Sequence, residues 1–92
     1  MSKDLTLLVA KVKRGSNRKK VLEAIDGDIM PSELVKKIYG KQSNTHFNIV
    51  SRALSELREL GLIEIVNPEE RTGRMYRLTK LGVGVKSKLN ND

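Results

Sequence analysis

The 92-residue sequence has no cysteine and no tryptophan, two prolines, one histidine and only 3% aromatic residues. Without cysteine, neither a disulfide nor a thiolate metal site can hold the chain together. With so few aromatics, the core has to be built from leucine, isoleucine and valine. A single histidine and no paired carboxylates on a shared face leave no nucleophile–base set and no metal cluster, so neither an enzyme nor a metal sensor is expected, and no cofactor. Asp26-Gly27-Asp28 puts two carboxylates in a helix-ending turn, where they are more often solvated than bound to a cation. No run approaches the roughly 20 apolar residues of a membrane span. The apolar opening run 5–10 is short, and Lys11, Val12, Lys13 and Arg14 follow it instead of a small-residue cleavage site, so a soluble cytoplasmic protein is the expectation.

What the sequence does have is positive charge. The formal net charge is +7, with a pI near 9.9. It is unevenly spread: residues 1–20 carry +6, 21–42 carry −1, 43–67 carry −1 and 68–92 carry +3. Basic ends around a neutral middle suit a phosphate-bearing partner, although solvated tails would show the same charge.

Ninety-two residues make one domain, 1–92, with one small core. Residues 4–13 place Leu5, Leu8, Val9 and Val12 on one helical face, as part of an N-terminal extension over 1–15. Ser16 or Asn17 can cap a helix over 18–25 with Val21, Leu22 and Ile25 inward, and Asp26-Gly27-Asp28 ends it. Pro31 suits the first turn of a helix over 31–39, and Gly40 stops it. From Ser43 or Asn44 a third helix runs to residue 60, with Phe47, Val50, Leu54 and Leu57 on one buried stripe. The period then changes: 62–66 and 74–78 read as strands joined by the turn-rich Asn67–Gly73, a β-hairpin. Thr79 can cap a last helix over 79–90, with Leu81, Val85 and Leu89 inward. The predicted class is α+β, three helices and a hairpin plus N- and C-terminal helices.

In that order, "MPSELVKKIYG", "VSRALSELRELGLIE" and "RTGRMYRLTKLG" resemble the winged helix-turn-helix transcriptional regulators, of the small archaeal, ArsR- or MarR-like kind. The match covers residues 18–84. The resemblance implies that 31–39 is the positioning helix, 44–60 the recognition helix in the major groove, and 67–74 the wing on the backbone or in the minor groove. The chain departs from that pattern twice. Gly40 and Val50 enclose about four residues more than usual, close to one helical turn, so the recognition helix either starts a turn early or follows a looser turn. Met30, before Pro31, has no side-chain oxygen to cap the second helix, so that helix either frays or takes Ser32 as its cap with a later start.

With 47, 50, 54 and 57 buried, the helical wheel turns Thr45, Asn48, Arg52 and Ser55 outward. Asn pairs with adenine, Arg with guanine, and Thr can meet a thymine methyl. Candidate base contacts are therefore Asn44, Thr45, His46, Asn48 and Arg52; Asn44 to His46 could alternatively be capping residues. Candidate phosphate contacts are Arg18, Lys19, Lys20, Lys41, Ser51 and Ser55. On the wing the candidates are Arg71, Thr72 and Arg74, with Glu69 and Glu70 repelling phosphate nearby. Double-stranded DNA is the expected partner. The apolar positions of the first and last helices either cover the core or form a homodimer interface. A different class of function stays open: a winged helix used for protein–protein assembly in a transcription or replication complex. RNA binding is disfavoured by the lack of aromatics for base stacking.

Overall fold

The computed structural model describes residues 5–90. Its elements are α1 (Leu5–Arg14), α2 (Ser16–Ala24), α3 (Pro31–Tyr39), α4 (Asn44–Glu59), β1 (Ile63–Ile65), β2 (Tyr76–Leu78) and α5 (Lys80–Asn90). The α+β order is the expected one, five helices and an antiparallel hairpin. The central helix is α4, which packs against α2, α3 and β1, while α1 packs on α2 and α5. Every buried residue is aliphatic or glycine: Val12, Leu22, Ile25, Leu34, Val35, Val50, Leu57, Leu62 and Val85 are fully enclosed, and no polar side chain joins them among the described residues. This is the core that a cysteine-free, aromatic-poor sequence requires.

Local chemistry sets the helix ends. The first two helices meet almost without a linker: Gly15 N–H donates to the Val12 carbonyl at 3.2 Å, and the Gly15 carbonyl accepts from Lys19 N–H at 3.0 Å. Gly15 therefore occupies the N-cap of α2, and Ser16 and Asn17 lie inside the helix rather than capping it. The far end of α2 is closed by two lysines from elsewhere: Lys37 Nζ donates to the Ala24 carbonyl and Lys86 Nζ to that of Ile25, each at 2.7 Å. Cations at the terminal carbonyls of a helix complement its dipole. Met30 is indeed the N-cap of α3, and Glu33 compensates by accepting the Met30 N–H at 3.1 Å, so the helix starts at Pro31 with no later start at Ser32. The longer turn before Val50 resolves into an early helix start. Ser43 Oγ accepts from His46 N–H at 3.1 Å and α4 begins at Asn44.

The hairpin is shorter than the sequence suggests, 63–65 and 76–78, in the register Ile63↔Leu78, Glu64↔Arg77, Ile65↔Tyr76. Arg74 and Met75 lie outside β2, although Met75 still accepts from Val66 N–H through its carbonyl. On the other edge of β2, Ile29 and Tyr76 exchange both backbone hydrogen bonds, at 2.9 and 2.8 Å. That pairing ties the loop before α3 to the wing.

Thr79 joins three elements. Its Oγ1 donates to the Gly61 carbonyl at 2.7 Å and accepts from Gly82 N–H at 3.0 Å, capping α5 as expected. Gly82 marks a close approach: a Cβ there would lie 1.9 Å from the Leu62 carbonyl oxygen.

One side chain departs from the expected core. Phe47 is 40% exposed, and Ala53, at 1%, takes its place on the buried face of α4. On the wheel Phe47 lies about 60° from the stripe centre at Val50, and Ala53 about as far on the other side. The neighbours break the tie, because α2 and α3 pack on α4 and leave Phe47 on the flank toward the wing.

Candidate nucleic-acid interface

The outward face of α4 carries Asn44, Thr45, Asn48, Arg52 and Ser55, all exposed. Thr45, Asn48 and Arg52 line one cleft of about 270 Å³, completed by Asn17 from the first turn of α2 and by Glu56. The cleft therefore mixes amide, hydroxyl, guanidinium and carboxylate groups from two helices. Lys20, from α2, is exposed and Lys19 half-buried, while Lys41 is exposed in the turn before α4.

Two candidates on or beside α4 have intramolecular employment. The Arg18 guanidinium donates from NH2 to the Lys11 carbonyl at 2.9 Å and pairs through NH1 with Glu56 at 3.4 Å, linking α1, α2 and α4. Its Nε is buried with no hydrogen-bond partner, so this arginine is seated in the fold and is not free on the surface. His46 likewise turns away from the outward face. Its ring lies flat on Tyr39, with centroids 3.9 Å apart and planes 3° from parallel. The wheel explains this: His46 lies four residues before Val50, back toward the buried side, where α3 brings Tyr39.

A second groove, of about 370 Å³, runs between α4 and the wing. Ser51, Arg71, Thr72 and Arg74 line it, together with Phe47 and the start of α3 at Pro31 and Ser32. The wing is braced from within. Asn67 Nδ2 donates to the Gly73 carbonyl at 3.1 Å, and Asn67 Oδ1 accepts from Met75 N–H at 2.7 Å, so one amide spans both arms. Arg74 Nε donates to the Glu70 carbonyl at 2.8 Å, and Gly73 takes the left-handed conformation (φ +68°) at the tip.

Reading by periodicity missed Asn17, Phe47 and Asn67. Asn67 carried a usable signal, an Asn-Pro at the start of a turn, because Asn side chains bond to nearby backbone there. Asn17 and Phe47 carried none, since only the packing of α2 and the wing around α4 brings them to the grooves.

Two helices, α2 and α3, packed on the central α4, a hairpin wing on one flank and a helix at each end define the winged helix-turn-helix fold. Among solved structures, the chain is similar to TubR bound to 24 bp of tubC from Bacillus thuringiensis serovar israelensis pBtoxis, with a TM-score of 0.76 over 99% of this chain and 97% of that one. Identity is 13%, so the likeness is one of fold. No family model and no curated protein matches the sequence. Among the described residues, no helix is long and apolar enough to cross a membrane, and no three acidic or histidine side chains group to hold a metal ion.

Proposed function

We propose that residues 1–92 form one winged-helix domain that binds double-stranded DNA sequence-specifically and regulates transcription in the cytoplasm, without catalysis, as a homodimer. The observation that carries the reading is the outward face of α4. Thr45, Asn48, Arg52 and Ser55 are exposed together, and residues 44–55 contain no Lys or Glu. A solvated face has no need of asparagine and threonine, which are weaker helix formers. The proposal sets α4 in a major groove, with Asn48 on an adenine edge and Arg52 on a guanine edge. Lys19, Lys20 and Lys41 supply phosphate contacts, and Arg71 and Arg74 carry the wing onto the adjacent backbone or minor groove. The TubR chain of the same fold is bound to DNA, which supports this use of the scaffold.

Helix-turn-helix readers pair two half-sites by dimerising. Leu8, Val9 and Val12 of α1, with Val85 and Leu89 of α5, are spent on the core, whereas Leu7 and Val83 stay 55% exposed. These two side chains nominate the outer surface of α1 and α5 as the dimer contact.

The test is binding to duplex DNA across a salt titration, with variants. Arg52→Ala costs about 1–3 kcal/mol and relaxes sequence preference, while Lys19→Ala weakens all sequences alike and reduces the salt slope by about one. Weak, salt-independent binding would sink the proposal and favour a protein–protein module.

A further inference from the structure

Phe47 is the sequence's one phenylalanine, and it stands 40% exposed beside a core without aromatics. With Met30, Pro31 and Tyr76 it contributes the apolar lining of the groove between α4 and the wing, which Arg71 and Arg74 also line. An apolar surface beside two cations suits a ligand that is anionic along its edge and apolar a short distance inward. Duplex DNA has that character at thymine, whose C5 methyl stands in the major groove close to the phosphates of its own strand.

We propose that Phe47 is a specificity-determining residue that makes apolar contact with a thymine methyl group of the bound duplex. The inference rests on the DNA-binding reading above and adds to it a base and a chemical group. Phe47 sits in the first turns of α4, the part of a recognition helix that reaches base edges. Asn48 and Arg52 address hydrogen-bonding edges; Thr45 can meet a methyl group on the outward face, which leaves one on the wing side unread. Phe47, immediately before Asn48 and on the flank nearer the wing, reads it.

The experiment uses duplexes that the wild-type protein selects from a random pool. In the selected site, each fixed thymine is replaced in turn by deoxyuridine, which removes only the methyl. At the contacted position wild-type affinity falls about fourfold, the worth of one methyl-sized group buried. Phe47→Ala binds the thymine duplex more weakly and loses nothing further on deoxyuridine, while Phe47→Leu keeps part of the loss. Should Phe47→Ala fail to fold, Phe47→Gln carries the same comparison. The proposal is overturned if wild type and variant lose equally at every thymine, or if the selected duplexes hold no fixed thymine. In both cases duplex binding persists and the broader reading survives; if the wild type selects no duplex, both fall.

Discussion

Gly82 offers a test in which local propensity and tertiary packing predict opposite signs. In an isolated helix, Gly→Ala in α5 would stabilise by about 1 kcal/mol. Here the new Cβ would stand 1.9 Å from the Leu62 carbonyl oxygen and 2.9 Å from its carbon. Both are backbone atoms, so no side chain can rotate away. The start of α5 would have to back off by well over an ångström, against the bonds that hold it. Thr79 N–H donates to that same Leu62 carbonyl at 3.0 Å, and Thr79 Oγ1 donates to Gly61 at 2.7 Å. Overpacking of this kind costs about 1–3 kcal/mol or more, and loss of either bond adds to it, so the net expectation is roughly 2 kcal/mol of destabilisation. In a domain of this size that lowers Tm by about 8–16 °C. Gly84→Ala is the internal control. The nearest atoms to its new Cβ are flexible Leu5 methyls at 3.6 and 3.8 Å, so the propensity gain survives and stability holds or rises. Thermal and urea unfolding followed by circular dichroism, at matched protein concentration, measures both. A Gly82→Ala protein as stable as wild type would refute the close approach of α5 to the strand start.

Other substitutions separate structural roles from binding roles. Arg18→Ala lowers stability by about 1 kcal/mol through loss of the Lys11 and Glu56 contacts, the ion pair itself adding little because Glu56 is 44% exposed. Lys19→Ala leaves the melting curve in place and weakens DNA binding instead, which paired melts and binding isotherms resolve. Thr79→Ala removes the cap and the Gly61 bond, costing about 1–2 kcal/mol in chemical denaturation. Asn67→Ala unclips the wing: the Met75 amide loses hydrogen-exchange protection while global stability falls by less than about 1 kcal/mol, and duplex affinity drops because the wing must be ordered on binding.

The candidate site was half legible in advance. Arg52, Asn48 and Thr45 are outward for the reason periodicity gives, since residues opposite a buried stripe have nowhere else to point. Arg18 and His46 look equally available in sequence. Their fates depended on distant groups, the Lys11 carbonyl and Glu56 for one and the Tyr39 ring for the other, and such contacts leave no local mark. Phe47 shows the limit most plainly. Its hydrophobicity and spacing assign it to the core, yet positions about 60° either side of a stripe are decided by which neighbour arrives.

The element order, the aliphatic core and the helix stops at Gly40 and Gly61 follow from the sequence alone, because they depend on periodicity and backbone chemistry within a few residues. The polar outward face of α4 belongs with them. Tertiary structure decided the rest. It chose Ala53 over Phe47 for the interior, required glycine at position 82, capped α2 with lysines from α3 and α5, and clipped the wing through Asn67. Each of these joins groups that meet only when helices and strands dock, where steric fit and unpaired carbonyls set the energy and local preference does not.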